Sequence, residues 1–344
     1  MTFTDADIFN LFDFEEIAKG NMSHMAYEYL AGGAADEITL RWNRESLEKI
    51  RLCPRTMVDV STLDTRVEMF GQELTFPILL APTGFQRLYH PEGEVAAAQG
   101  AGRSSATYVI SSYSTTSIDE IAAAATQPLW FQLYVQPDRG FTKDVVQQAE
   151  AAGCRALCVT VDLPVIGVRN RKDRARFELP PELNVPYMME HFEGVPVSWD
   201  DIDWLRSLTK LPVLLKGILN PDDADLAAKN GIDGIVVSNH GARDLDSTPA
   251  TIDALPLIAD KVAGRIPVLM DGGIRRGTDV LKALALGATA VQIGRPYCYG
   301  LGAGGADGVS RVVDILRKEF EIAMALTGRP TIASIDRSVL WPAS

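Results

Sequence analysis

LPVLLKGILNPDDADLAAKNGIDGIVVSNHG, residues 211–241, contains an apolar run, a helical segment that ends on glycine, and a second apolar run. Both runs, LPVLLKG and GIVVSNHG, are apolar through most of their length, the pattern of strands covered on two faces. A strand, a helix and a second strand of this kind make a parallel unit.

The same rhythm extends outward in both directions. FPILLAP, TYVISS, PLWFQLYV, CRALCVTVD, LPVLLKG, GIVVSNHG, IPVLMDGG and AVQIGRP are eight strand candidates. Between them lie helical segments such as EGEVAAAQGAGRSS, TSIDEIAAAAT, KDVVQQAEAAG, DDADLAAKNG, TIDALPLIADKVAG and TDVLKALALG, most of them ending on glycine. Eight such units predict an α/β protein, a (β/α)8 TIM barrel over residues 71–344, with a long last helix near DGVSRVVDILRKEFEIAMALTG. Residues 1–70, with DADIFNLFDFEEIAKG, SHMAYEYLAGG and ADEITLRWNRESLEKI, read as a helical extension packed on that barrel. A doubly wound open sheet is the alternative, disfavoured by the count of eight and by the lack of an early G-x-G-x-x-G. Residues 163–197 form one long connection after the fourth strand, a lid by its position and length. Its Arg169, Arg171, Lys172, Arg174 and Arg176 read mostly as a solvated charged stretch.

Composition narrows the function classes. With 47% hydrophobic and 23% charged residues, the chain has enough apolar material for a large core. Its net charge of −12, from 33 basic and 45 acidic residues, argues against nucleic acid or an anionic membrane as the main partner. The acidic start MTFTDADIFNLFDFEE is unlike a signal peptide, and no run nears the roughly 18 apolar residues of a membrane span. The cytoplasm is the expected location. Cys53, Cys154, Cys158 and Cys298 form no C-x-x-C pair and read as small buried hydrophobes in a reducing compartment. His24, His90 and His191 show no metal-ligand spacing, and no metal is expected.

Barrel enzymes work at the C-terminal ends of their strands. Side-chain alternation groups Trp130, Gln132 and Tyr134 on one face, and Cys158, Thr160 and Asp162 on another. It likewise pairs Leu214 with Lys216, and Val236 with Ser238 and, if the strand continues that far, with His240. Polar groups ending four strands together imply a ligand site, because buried polar atoms need partners. DGGIRRGTD (271–279) and IGRP (293–296) end the seventh and eighth strands, where barrels frequently bind phosphate. Gly272, Gly273, Arg275, Gly294 and Arg295 are the phosphate candidates. His240 at the barrel mouth is placed to exchange a proton, with Asp162 to hold its ring. Arg169 and Arg243 can offer planar forks to a carboxylate.

The motifs YEYLAGGAADE, PTGFQRLYHPEGE, FQLYV, TVD, SNHGARDLD and DGGIRRGTDVLKALALGA occur in one order along nearly the whole chain. On them the sequence resembles the FMN-dependent L-2-hydroxy acid oxidase and dehydrogenase family, which includes glycolate oxidase, lactate oxidase and mandelate dehydrogenase. The resemblance implies FMN as cofactor, held by Pro82, Thr83, Gly84, Ser111, Gln132, Tyr134, Thr160, Lys216 and Ser238. Asp271, Gly272, Gly273, Arg275, Gly294 and Arg295 would hold the ribityl and phosphate end. It further implies Tyr29, Arg169 and Arg243 on the substrate carboxylate, Tyr134 on its hydroxyl, His240 as base and Asp162 as the carboxylate that orients it.

The implied reaction oxidises an L-2-hydroxy acid to the 2-oxo acid. Either hydride leaves the α-carbon for flavin N5 as His240 takes the hydroxyl proton, or His240 removes the α-proton. Dioxygen is the expected acceptor, giving hydrogen peroxide; a dehydrogenase with another acceptor and a mandelate-type substrate is the alternative. A homotetramer is implied as well. An FMN-barrel isomerase and a barrel that only binds a phosphorylated ligand are the competing classes. Three positions depart from the family or divide it. Asp244 stands where the family usually has glutamine, and adds negative charge near the carboxylate site or forms a local ion pair. Tyr113 replaces a tryptophan of glycolate oxidase, which favours a short acid such as L-lactate or glycolate and puts Tyr113 on the substrate. Gly84 stands where many oxidases have alanine, and leaves the acceptor open.

Overall fold

The first of the predicted strands pairs with the last. The computed structural model describes residues 8–190 and 192–342. Among them Ile78–Leu80, Thr107–Ser111, Leu129–Leu133, Leu157–Thr160, Val213–Ile218, Gly234–Val237, Val268–Met270 and Ala290–Ile293 form a closed parallel barrel. A helix follows each strand: Gly93–Arg103, Ile118–Ala124, Arg139–Ala151, Trp199–Leu208, Pro221–Lys229, Thr251–Val262, Gly277–Ala285 and Arg295–Leu326.

Local chemistry starts these helices. Asp138 accepts hydrogen bonds from the Gly140 and Phe141 amides, Ser117 from Glu120, and Asn220 from Asp222 just ahead of Pro221. Each cap satisfies donors that no helical carbonyl can reach.

Alternation along the strands divides the core in two. Leu79, Val109, Trp130, Cys158, Leu214, Val236, Leu269 and Ala290 fill the barrel interior. Outward residues such as Ile78, Ile110, Phe131, Val159, Leu215 and Val237 pack under the helices. Trp130, Cys158, Leu214 and Val236 therefore face inward, as the sequence spacing requires, and the next inward residue on each strand lies one layer nearer the mouth.

Three elements differ from expectation. Residues 1–70 are only partly helical: Asp13–Asn21, His24–Ala31 and Ile38–Lys49 are helices, while most of residues 50–66 lack regular structure. An antiparallel ribbon, Val67–Met69 with Gln72–Leu74, turns through Phe70 and Gly71 at positive φ. It closes the barrel floor with Met69 and Leu74 against the inner layer, and the Trp130 indole donates to Gln72 Oε1 at 3.3 Å. Strands of three residues are too short to show a period. Second, Trp199–Leu208 is a helix that the sequence reading passed over, although Ser198 and Asp201 form a reciprocal capping box there. Third, the last helix begins at Arg295, not near Asp307, and bends at Gly304 and Gly305, the latter at φ 59°. The residues 1–7 of the expected N-terminal helix, and His191 of the lid, lie outside the described residues.

Cys154, Cys158 and Cys298 are buried free thiols, each pushed up to about 12 by burial, and Cys53 is half-buried. Among the described residues no helix is long and apolar enough to cross a membrane.

Candidate active site

Above the apolar inner layer the barrel turns polar. Ser111 Oγ donates to Gln132 Oε1 at 3.1 Å, and Gln132 Nε2 donates to Thr160 Oγ1 at 2.9 Å. Across the barrel, Lys216 Nζ donates to Ser238 Oγ at 2.9 Å, and Ser238 Oγ donates to Asp271 Oδ2 at 2.9 Å. Burial alone would lower the Lys216 pKa. The carboxylates of Asp271 and Asp162 outweigh it, and the ammonium stays charged. Gln132, Thr160 and Ser238 thus stand behind the wall in two hydrogen-bonded chains, while Ser111, Lys216 and Asp271 reach the cavity of about 330 Å³ above them.

That polar layer is incomplete on its own. Asp271 Oδ1 and both amide atoms of Gln292 are buried without a hydrogen-bond partner among the described residues. An orphaned amide costs about 1–3 kcal/mol unless a ligand meets it. Gln292 is a pocket residue that the sequence reading missed, although alternation in AVQIGRP pairs it with inward Ala290.

The anion end is built from two half-buried guanidiniums that line the cavity. Arg295 donates to the carbonyls of Leu30 at 3.0 Å, Gly241 at 2.9 Å and Gly32 at 2.8 Å. Arg275 donates to the Ile274 carbonyl at 2.9 Å. Neither forms a direct ion pair with a carboxylate among the described residues. Burial lowers the pKa of both, with the nearby Arg243 adding to it at Arg295 and Arg44 at Arg275. Two desolvated cations of this kind are expensive unless an anion joins them. Gly272 and Gly273, at φ 96° and 80°, and Gly294, at the start of the helix beginning at Arg295, line the same end. A phosphate at a helix start flanked by arginines matches this arrangement. The orphaned amide, the buried Lys216 and the unpaired arginines fit FMN.

Opposite that end stands His240. The sixth strand stops at Val237, so His240 is not placed by strand alternation. His240, Gly241 and Ala242 take φ values of 56°, 63° and 62°, and this left-handed turn swings the ring over the mouth. Such a conformation costs about 1–2 kcal/mol at each non-glycine residue. Nδ1 lies 3.1 Å from Asp162 Oδ1, and Nε2 lies 3.4 Å from the Tyr134 hydroxyl. Asp162 reaches the ring beside Gly217, at φ 111°, where an added Cβ would come within 2.4 Å of the Asp162 side chain. Burial would lower the His240 pKa; Asp244 and Asp162 outweigh it and raise it to about 9. Burial, reinforced by Asp244 and Asp162, keeps the Tyr134 phenol protonated.

Two arginines flank this pair. Arg243 Nη1 donates to the carbonyls of Tyr29 at 2.8 Å, Gly32 at 3.0 Å and Leu30 at 3.3 Å, and its guanidinium lies 4.8 Å from the Tyr29 ring centroid. Arg169 donates to the Arg243 carbonyl at 3.0 Å and to Asp244 Oδ1 at 2.7 Å. Asp244 makes the local ion pair expected of it and a second contact that sequence did not anticipate: Oδ2 sits 2.8 Å from His240 Nδ1. Asp162, His240 and Asp244 each place a ligand atom within 4.8 Å of the others. A cation there would compete with the adjacent Arg169 and Lys216 charges.

Pro82, Thr83, Gly84, Tyr29, Tyr113, Tyr134, Arg169 and Arg243 all line the one cavity. The Thr83 hydroxyl is also engaged by the Tyr297 hydroxyl. Gly84 has a local cause, since a Cβ there would fall 2.5 Å from the Tyr113 Cβ. The lid adds Phe177, stacked 4.4 Å from Tyr29, and Phe192, 5.5 Å from Tyr134. These aromatic walls were missed because the lid sequence has no period that aims its side chains.

The chain matches the model of a family described as FMN-dependent dehydrogenase over residues 18–342. It is 47% identical to an L-lactate oxidase of Nostoc sp., covering 96% of this chain and 97% of that protein. It is 44% identical to a peroxisomal (S)-2-hydroxyacid oxidase of Arabidopsis thaliana, covering 96% of both. Among solved structures, a mandelate oxidase with (S)-2-phenylpropionate superposes with a TM-score of 0.92 at 40% identity, over 97% of this chain and 98% of that one.

Proposed function

Because the chain belongs to the FMN-dependent dehydrogenase family, we propose that it oxidises L-2-hydroxy acids to 2-oxo acids, with dioxygen as final acceptor and hydrogen peroxide as product. One observation carries this reading: a histidine oriented by a carboxylate faces a tyrosine hydroxyl, with two arginines beside them in the same cavity. An isomerase or a passive phosphate binder would leave that grouping without work.

Arg243 and Arg169 hold the substrate carboxylate, which aims the α-carbon and its hydroxyl at Tyr134 and His240. Arg169 turns from Asp244 to do so. Tyr134 hydrogen-bonds the hydroxyl oxygen. His240 receives the substrate proton at Nε2, and Asp162, accepting from Nδ1–H, stabilises the imidazolium. FMN, when bound, supplies the acceptor for the electron pair that leaves the substrate. Lys216 brings a fixed positive charge to the cavity wall, and Gln292, Ser111 and Asp271 offer hydrogen bonds to the cofactor. The phosphate falls to Gly272, Gly273, Arg275, Gly294 and Arg295. Tyr29 and Leu30 line the pocket, which supports reading residues 1–70 and the barrel of residues 71–344 as one unit.

Tyr113 and the resemblance to lactate oxidases favour a short acid such as L-lactate or glycolate. A second reading, an acid with an aromatic side chain, is favoured by the walls of Phe85, Phe177 and Phe192. We also place the enzyme in the cytoplasm as a homotetramer, which light scattering and fractionation test. Anaerobic mixing of the holoenzyme with glycolate, L-lactate, L-mandelate and longer acids decides activity and substrate together. Flavin bleaching ranks the acids, and admission of oxygen with peroxide assay reads the acceptor. A flavin that none of these acids bleaches overturns the proposal.

A further inference from the structure

Asp244 is half-buried, with its Oδ2 fully buried, and does not line the cavity. Its Oδ1 accepts from Arg169, while its Oδ2 has no hydrogen-bond donor although it stands 2.8 Å from His240 Nδ1. The Nδ1–H points at Asp162 instead. A buried carboxylate oxygen without a donor is unfavourable unless a positive charge adjoins it. Among the described residues the Arg169 guanidinium adjoins Oδ1, and the ring of His240, once protonated, brings a second positive charge to Oδ2.

The lid presses on the same residue. A Cβ at Gly167 would fall 1.9 Å from the Asp244 carbonyl oxygen, so lid and histidine loop are packed backbone to backbone there. Asp244 is thus held between the lid and the histidine, and meets the substrate pocket through Arg169 and His240 without lining it.

We propose that Asp244 is a positioning residue, a second anion beside Asp162 that stabilises the imidazolium formed when His240 takes the substrate proton, and that parks Arg169 until a substrate carboxylate draws it away. This rests on His240 being the base. The groups facing the ring are Asp162 after the fourth strand, Lys216 on the fifth, Tyr134 after the third, Arg169 on the lid and Asp244 on its own loop. Of these, Lys216 lowers the ring's proton affinity and the two carboxylates raise it. Asp244 shows the reciprocal effect: burial would raise it, yet His240 and Arg169 hold it down to about 2. Asp162 accepts the ring's hydrogen bond at 3.1 Å, and Asp244 stands 2.8 Å from the same nitrogen as a second anion.

The test uses the holoenzyme with Asp244→Asn and Asp244→Glu. Nitrogen-15 histidine NMR, with the His240 signal identified by its loss in His240→Ala, follows the ring's titration directly. In Asp244→Asn the midpoint is expected to fall by about one pH unit or more. The acid limb of kcat/KM for L-lactate should move down with it, while the high-pH plateau of anaerobic flavin reduction falls about tenfold. Freed from its partner, Arg169 lowers the KM of the variant at a given pH. Asp244→Glu restores the midpoint at least in part. A midpoint unmoved in Asp244→Asn, with only activity or melting temperature lowered, overturns the proposal. Rapid flavin bleaching in His240→Ala overturns the assignment of the base instead, and leaves the NMR midpoint as a separate reading of Asp244.

Discussion

His240 gives Nδ1–H to Asp162 Oδ1 at 3.1 Å, and that contact decides which ring nitrogen is left for chemistry. A carboxylate only accepts, so Nδ1 carries the proton and Nε2, on the Tyr134 side, is the basic nitrogen. His240→Ala should keep FMN bound and slow flavin reduction by about 10²–10⁴-fold. Stopped-flow absorbance under anaerobic conditions measures it, and a wild-type bleaching rate in the variant would refute the role.

The same ring sets a pH dependence. Its pKa rises to about 9, and proton transfer to Nε2 needs the neutral ring, so kcat/KM should climb with pH and level off above about 9. Stability runs the other way. A group whose pKa is raised on folding stabilises fully below its ordinary 6.5, and that contribution is lost as pH rises through about 9. Kinetic profiles and thermal melts between these values should therefore slope oppositely. Parallel slopes would show that another group governs one of them.

Arg243 is anchored through Nη1 to three backbone carbonyls, which aims the rest of its planar fork. Lysine cannot bind those carbonyls and a carboxylate together in this geometry. Arg243→Lys should raise KM about 10–100-fold, the loss of one charged hydrogen bond, with a smaller change in kcat. Unchanged steady-state kinetics would remove Arg243 from substrate binding.

Arg275 is half-buried with one backbone carbonyl as the acceptor of its guanidinium, and burial lowers its pKa, so an anion beside it is stabilising. Arg275→Gln should weaken FMN binding by roughly 10–100-fold, yet leave the melting temperature of FMN-free protein equal or higher. Flavin fluorescence titration and calorimetry of the apoprotein separate these effects. Loss of apoprotein stability with intact FMN affinity would contradict the assignment.

Gly84→Ala places a methyl group 2.5 Å from the Tyr113 Cβ. The backbone must shift, at a cost of about 1–3 kcal/mol. Tyr113→Ala retains that Cβ and should not relieve the strain; Tyr113→Gly should. Denaturant unfolding of the four proteins checks the pattern. The glycine therefore has a packing cause of its own at this position.

Much of the barrel was legible because its strands are buried on both faces and its helices end on glycine. The ribbon of Val67–Leu74 was not, since three-residue strands carry no period. The helix of residues 199–208 left one signal, the Ser198–Asp201 capping box. Within the site, alternation brought Gln132, Thr160, Lys216 and Ser238 to one layer and would also have given Gln292. It could not place His240, whose ring depends on three successive left-handed residues beyond the strand end.

Sequence by itself determined the barrel and the layer of polar groups at its mouth, because side-chain direction along a strand is a local property with period two. Tertiary structure alone decided what surrounds the histidine. Tyr134 follows the third strand, Asp162 and Arg169 the fourth, and Asp244 lies on the histidine's own loop after the sixth; how they meet one imidazole depends on distances of a few ångströms that no spacing along the chain encodes.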